Sequence, residues 1–343
     1  MRMLQSRMQW RLPVEDVSHV GECRRTVQRL AESLEFGVTL VGRLAIVATE
    51  LANNLIKHAG RGELLVQALD DGDGVTVEVV ALDRGPGMHV DACMRDGYST
   101  VGTAGTGLGA VLRMSSMFDV YSVIDQGTAV VSRVHQPASS TVLGSESCEK
   151  TPEFGAICLA VAGEIECGDI WRVAQRGQTT AVLVADGLGH GPLAANASRA
   201  AAATFMERPF DPPSECMQRL HNSLAGTRGA AAACAVFDPE TAKVLYSGVG
   251  NISGTSVYGD RSKGMVSHNG ILGVQLPRKQ QFEYDCTLGS RIVMHSDGMS
   301  ARWSISDYPG LFTHHAAVIA AVLYRDHGRM RDDVTVVVCG GRA

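Results

Sequence analysis

Glu50 and Asn54 stand four residues apart in a run whose apolar positions, Val41, Leu44, Ala45, Ala48, Ala52 and Leu55, recur at helical spacing. On a helix from about Thr39 to His58 the two side chains share a face. An amide oxygen there can hold Mg²⁺, which favours hard oxygen ligands. The carboxylate beside it can take a proton from an attacking hydroxyl or water. Alone, such a pair is what an ordinary solvated helix face shows; two glycine segments sharpen it. Asp83-Arg84-Gly85-Pro86-Gly87 follows an apolar run ending at Leu82, placing an acid at a strand end before a loop whose backbone can lie close to a flat ligand. Gly102-Thr103-Ala104-Gly105-Thr106-Gly107-Leu108-Gly109 then opens another helix. Glycines let backbone N–H groups face a phosphate, and a helix N-terminus adds positive potential.

A second set of residues occupies the rest of the chain. Val184-Ala185-Asp186-Gly187-Leu188-Gly189-His190-Gly191 ends one apolar run, and Met294-His295-Ser296-Asp297-Gly298 ends another. Asp332-Asp333-Val334-Thr335 begins a third, and Gly168-Asp169 lies early in this half. A single Asp-Gly step is usually a turn. Carboxylates at several strand ends can instead converge on one rim of a sheet sandwich. Such all-oxygen donors suit Mg²⁺ or Mn²⁺, and two ions roughly 3.5–4 Å apart can activate a water for in-line attack on a phosphate.

The first half resembles the Bergerat-type ATPases (gyrase, heat-shock-90, histidine-kinase, mismatch-repair), above all the bacterial anti-sigma and stress-signalling serine kinases. Thr49-Glu50-Leu51-Ala52-Asn53-Asn54 is similar to their N box, Asp83 to Gly87 to their first glycine box, and Gly105-Thr106-Gly107-Leu108-Gly109 to their second. The resemblance implies ATP and Mg²⁺ as cofactors, Asn54 on the Mg²⁺, Glu50 as the base and Asp83 on the adenine amino group. Gly85, Gly87, Gly105, Thr106, Gly107, Leu108 and Gly109 would line the nucleotide. Arg24 falls where these kinases often carry a basic residue near the transferred phosphate. A histidine kinase is not expected, because no phosphoacceptor helix precedes the fold.

The second half resembles the type-2C-like metal-dependent phosphatases of the bacterial sporulation and stress-response branch. That implies two Mn²⁺ or Mg²⁺ ions held by Asp169, Asp186, the Gly187 carbonyl, Asp297 and Asp332, with Asp333 the second choice of its pair, and phosphoserine or phosphothreonine as substrate. Asp186 and Asp297 are then the acids nearest the chemistry. His190 is read either as a general acid or as part of the turn. Gly248-Val249-Gly250-Asn251 is read either as a loop beside the site or as a plain strand-end turn. The stretch from Ala301 to Pro309 is short where larger relatives carry a substrate flap.

The elements that must hold these residues follow from the pattern. Glu63–Leu69 and Val75–Leu82 read as strands around the Asp71-Gly72-Asp73-Gly74 turn. A helix over Leu108–Met117 and strands over Asp119–Ile124 and Thr128–Val134 complete a two-layer α/β sandwich. From Gln136 the pattern stops in small polar residues, which marks a linker. Strands over Phe154–Ala162, Thr179–Ala185, Ala230–Phe237, Lys243–Ser247, Arg291–His295 and Val334–Val338 follow. Helices over Pro192–Met206, Ser214–Leu224 and Thr313–Tyr324 accompany them. The fold class is α+β: a Bergerat ATP-binding fold at residues 1–136, a linker at 137–151, and a four-layer αββα phosphatase sandwich at 152–343.

Bulk composition agrees. The 343 residues suffice for two domains, 20% are charged and 45% hydrophobic, and the net charge of −5 carries no nucleic-acid footprint. Arg7 and Arg11 interrupt any signal-like apolar stretch, and Ala316–Tyr324 is too short to cross a bilayer. The nine cysteines show no zinc spacing. A cytoplasmic protein with no nucleic-acid or membrane partner is expected. Together the halves imply a bifunctional regulator of bacterial partner switching. It would phosphorylate and dephosphorylate a Ser or Thr on a STAS-domain antagonist, with a sigma factor or downstream regulator as further partner. The alternative is a phosphatase whose first domain senses ATP or binds a sigma factor without transferring phosphate.

Overall fold

The computed structural model describes residues 1–90, 107–138, 153–238, 240–276, 279–287 and 289–340. They form two compact units, residues 6–143 and residues 1–5 with 144–343.

The strand β1 (Arg2–Val14), whose residues 2–5 belong to the second unit, leads into α1 (Val17–Ser33) and α2 (Val38–Asn54) of the first. Asp16 caps α1: its Oδ1 accepts the Ser18 N–H at 2.7 Å, while His19 Nδ1 accepts the Asp16 N–H at 3.3 Å. The α2 helix loosens into a π-turn at Leu55–Ala59 and stops at Gly60. Then come β2 (Gly62–Asp70), β3 (Gly74–Leu82), α3 (Gly107–Met114), β4 (Met117–Val123) and β5 (Gly127–Pro137). The sheet order is β1-β2-β3-β5-β4, with the last three ladders antiparallel. One sheet face presents Leu64, Val66, Ala68, Val77, Val79, Ala81, Val130 and Val134 to Val27, Leu44, Val47, Ala48 and Leu51 of the helices, making one core.

Several boundaries shift from the sequence expectation, two of them in ways that bear on the unit's edges. The α3 helix ends at Met114 rather than Met117, because the Ser115 hydroxyl bonds the Val111 carbonyl and the Ser116 N–H turns to the Arg133 carbonyl at 2.7 Å. Met117 already pairs with Arg133 across β4 and β5. The β5 strand runs on to Pro137; the rest of the expected linker, from Ser139, lies outside the described residues.

The second unit holds two sheets. Its strands are β6 (Glu153–Leu159), β7 (Asp169–Arg176), β8 (Thr179–Gly187), β9 (Ala230–Asp238), β10 (Lys243–Val249), β11 (Ser253–Tyr258), β12 (Arg261–Met265), β13 (Ser267–His268), β14 (Phe282–Asp285), β15 (Arg291–His295) and β16 (Val334–Gly340). One sheet runs β13-β10-β9-β8-β7 with β14 beside β10, and Arg2–Leu4 of β1 pair with β7. The other runs β12-β11-β15-β16-β6. Helices α4 (Pro192–Glu207) and α5 (Pro213–Ser223) cover the first sheet through Ala197, Ala201, Phe205, Met217 and Leu220. Helix α6 (Ala316–His327) lies against β6 and β16. It starts three residues later than the spacing suggests, because His315 caps it by accepting the Ala317 N–H while Leu311–Thr313 form a short 3₁₀ turn. The result is helix, sheet, sheet, helix, with the strand ends of both sheets free to carry chemistry. Among the described residues, no helix is long and apolar enough to cross a membrane.

Candidate functional site

Each unit gathers its own polar residues. In the first, Glu50 and Asn54 are half-buried on the last turns of α2 and converge on the start of α3. A Cβ placed on Gly107 would lie 3.3 Å from Glu50 Oε2 and 3.4 Å from Asn54 Oδ1. The helix mouth, the carboxylate and the amide thus meet at one point, where backbone N–H groups of a helix start favour an anion. Leu108 and Gly109 continue this helix, while Gly105 and Thr106 lie outside the described residues. Arg24 is exposed on α1 and its Nε donates to Gln28 Oε1 at 3.3 Å.

Asp83 is fixed from the backbone. Its Oδ1 accepts the Gly85 N–H at 2.8 Å and the Thr128 N–H at 3.2 Å, and its own N–H donates to the Thr128 carbonyl at 3.0 Å. Gly85 and Gly87 run close past Ala59 and Val123, with contacts of 2.7 Å and 2.2 Å for an added Cβ. Gly127 closes the turn under Asp83 at φ +83°, where a Cβ would stand 2.1 Å from the Asp83 carbonyl oxygen. Gly127→Ala is therefore expected to cost about 3 kcal/mol from left-handed backbone and displaced backbone together. It should also loosen the backbone hold on Asp83, the residue expected on the adenine, and so weaken a nucleotide there. Thermal unfolding and a nucleotide titration check both; an unchanged Tm would show the turn to be slack.

In the second unit, Asp169 and Asp186 sit directly opposite each other on β7 and β8. Like charges so placed repel. Burial, then the Asp186 carboxylate, holds the Asp169 carboxyl well above its usual range. Asp186 is pushed up to about 7, first by burial and then by Asp297 and Asp332, against a stabilising hydrogen bond from Asn251. Asn251 Nδ2 also donates to Asp297 Oδ2 at 2.7 Å, so its amide bridges two of the acids. The loop reading of Gly248 to Asn251 thereby gains a concrete part. The Ser296 hydroxyl donates to Asp169 Oδ2 at 2.6 Å and accepts the Thr335 N–H at 2.9 Å, tying β7 to the second sheet.

Asp169 Oδ1 is buried with no hydrogen-bond partner among the described residues. A bare carboxylate oxygen facing a second carboxylate is the donor set of a cation site. Among the described residues, no three acids, thiols or imidazoles close tightly enough to enclose an ion by themselves. Open carboxylate donors fit a hard divalent cation that keeps part of its water shell. Gly187 ends β8, and Asp332 is exposed two residues before the last strand.

Asp333 is put to another use. Its Oδ1 accepts the Val161 N–H and its Oδ2 the Gly168 N–H, both at 2.7 Å. Both oxygens are thus engaged by backbone, which gives Asp333 the work of anchoring the loop that delivers Asp169. Its carboxyl lies above its usual value, because burial outweighs those two bonds. His190 is exposed and its Nδ1 pairs with Glu164 Oε1 at 2.7 Å. The sequence did not single out Ser296 as a support or Asn251 as a bridge. For Ser296 the only available signal was its place beside a strand end; for Asn251 it was the loop reading of Gly248 to Asn251.

Comparison with known proteins places both units. Residues 14–133 match the histidine kinase-like ATPase domain, and residues 176–340 match Stage II sporulation protein E (SpoIIE). Asp169 precedes the second match, so only the geometry above brings it to the site. The serine/threonine-protein kinase RsbT of Bacillus subtilis (strain 168) is 32% identical over 108 residues, 31% of this chain and 81% of that protein. A chain of the structure described as "The bacterial stressosome: a modular system that has been adapted to control secondary messenger signaling" superposes with a TM-score of 0.51 at 29% identity. It covers 55% of this chain and 98% of its own length.

Proposed function

We propose, for a chain that belongs through its first unit to the RsbT-like kinases of the histidine kinase-like ATPase family, a bifunctional partner-switching regulator that phosphorylates and dephosphorylates one Ser or Thr on a STAS-domain protein. The joined kinase and type-2C phosphatase domains make it a signal-transduction enzyme. Its domains are taken as residues 1–136 and 152–343, with 137–151 as linker.

The observation that carries the reading is Glu50. A pure nucleotide sensor needs phosphate and adenine contacts but no base, yet Glu50 Oε2 stands 3.3 Å from the Cβ position of Gly107 at the mouth of α3. ATP would be held by Asp83 and the glycines 85, 87, 105, 107 and 109 with Thr106 and Leu108, and its Mg²⁺ by Asn54. Glu50 takes the proton of the partner hydroxyl as the phosphoryl group transfers.

In the second unit, Mn²⁺ or Mg²⁺ would be held by Asp169, Asp186, the Gly187 carbonyl, Asp297 and Asp332. Bound there, divalent cations supply a nucleophilic water near neutral pH and neutralise phosphate charge. The protein's own part is orientation. Ser296 fixes Asp169, Asn251 holds Asp297 against Asp186, and Asp333 sets the loop before Asp169. Likeness to the RsbT kinase and to a stressosome chain supports a partner-switching role; a STAS-domain protein as the partner and a sigma factor or other downstream regulator as the output extend that reading.

The test follows partner mass. With ATP and Mg²⁺ and the phosphatase silenced, an unmodified STAS-domain protein should gain one phosphate. With Mn²⁺ and no ATP, the phosphorylated form should lose it. Loss without gain, with ATP binding intact, would leave a phosphatase carrying a sensing or sigma-factor-binding domain.

A further inference from the structure

We propose that Arg228 anchors the substrate's phosphoryl group at the phosphatase site, a role that rests on the phosphatase reading above. The guanidinium stands over the turn that follows Asp186: Arg228 Nη1 lies 3.0 Å from the position a Cβ would take on Gly189. The two segments are joined by backbone, the Leu188 N–H donating to the Gly229 carbonyl at 3.0 Å. One step further, Asp186 and Gly187 pair with Ala231 and Ala230 across β8 and β9.

The loop that presents Arg228 is built rather than slack. The Thr227 hydroxyl donates to the Leu224 carbonyl at 2.7 Å and accepts the Gly229 N–H at 3.0 Å, bracketing Arg228 on both sides. Gly229 sits at φ +85°, and a Cβ there would meet Ile271 Cγ2 and the Leu272 carbonyl oxygen at 2.7 Å each. A glycine is required at this position, and its fixed geometry points residue 228 outward.

Charge makes the case specific. Arg228 is exposed and has no hydrogen bond or ion pair with any described residue. Two other arginines of this region are already engaged. Arg199 pairs with Glu166 and Arg219 with Asp211, both at 2.6 Å, while Glu164 is taken by His190 at 2.7 Å. A free guanidinium over the turn that leaves Asp186 fits one ligand above others, a phosphate dianion drawn to the carboxylate rim where that strand ends. Its planar fork bonds two phosphate oxygens at once.

The full-length chain is assayed with Mn²⁺ on p-nitrophenyl phosphate and on a phosphoserine peptide, with inorganic phosphate as the competing inhibitor. Arg228→Ala should raise KM for both substrates and the inhibition constant for phosphate about ten-fold, with kcat little changed. Arg228→Lys should recover part of the loss, since it keeps the charge but not the fork. Arg228→Gln, similar in length but neutral, should behave as Ala and guards against a folding artefact. An unchanged inhibition constant for phosphate overturns the proposal. So does a KM increase confined to the peptide, which would place Arg228 on the partner chain rather than on the phosphoryl group. If the parent chain hydrolyses neither substrate, the phosphatase reading falls first and this role with it.

Discussion

Asp186→Asn should lower phosphate release from the partner by about a thousand-fold and, at the same time, make the metal-free protein harder to melt at pH 8. The first effect is the loss of an anionic donor where charge stabilisation of several kcal/mol is expected. The second follows from the acids themselves. Asp186 is pushed from 3.8 up to about 7 by burial and by Asp297 and Asp332. Between those values the folded chain holds a proton that the unfolded chain has released. Stability from this group is therefore complete below about 4 and is lost as pH rises through about 7. At pH 8 the ionised carboxylate costs the metal-free fold a few kcal/mol, at about 1.4 kcal/mol per pH unit. Asparagine removes that cost, so Tm without metal should rise by roughly 5 °C at pH 8 and change little at pH 4. Mn²⁺ should raise the parent's Tm more than the variant's. Equal melting of parent and variant at pH 8 would mean that the carboxylates do not repel as the geometry requires.

Glu50→Gln should leave ATP bound and stop its use. The substitution keeps the shape and the polar contact at the mouth of α3 but removes the only role a base can fill there. A drop of about 10²–10⁴ in phosphoryl transfer to the partner is expected. Nucleotide affinity should shift by no more than about three-fold, because Asn54, Asp83 and the glycine turns are untouched. Single-turnover transfer and a separate nucleotide titration keep the two quantities apart. If the parent transfers phosphate and the variant does so equally fast, the proton leaves by another route and Glu50 is structural.

Motifs that sit at strand ends were legible in the sequence because an apolar run next to Asp-Gly constrains both fold and chemistry. Asp186 and Asp297 are examples: the first lies in the last residues of β8 and the second two residues past the end of β15. The Glu50–Asn54 spacing was legible for the same reason, since helical geometry alone places them together. The structure departs where the decision is tertiary. Asp332 and Asp333 are neighbours with identical chemistry, and only the arrival of the Val161 and Gly168 N–H groups, over 160 residues away in sequence, separates anchor from exposed acid. The opening strand and helix went unread, although Asp16 caps a run with Val20, Cys23, Val27 and Leu30 at helical spacing. A mostly polar α1 gives that spacing little weight until the sheet beneath it is known. The β7 strand, which carries Asp169, alternates only weakly and was seen as a motif rather than as an element.

The order of strands in the second unit has a consequence during synthesis. The β6 strand has β16 as its ladder partner, and β16 lies between β15 and β6 in the sheet although it is made after every other strand described. The ladder that brings Thr335 to Ser296, and the tether from Asp333 to Gly168, cannot close until the ribosome has passed residue 335. Residues 6–143 complete their own core about 190 residues earlier. At 5–20 residues per second that is a lead of roughly ten to forty seconds. A nascent or prematurely terminated chain thus has the first unit's core before the second can close, and translation itself sets the order in which the two units form.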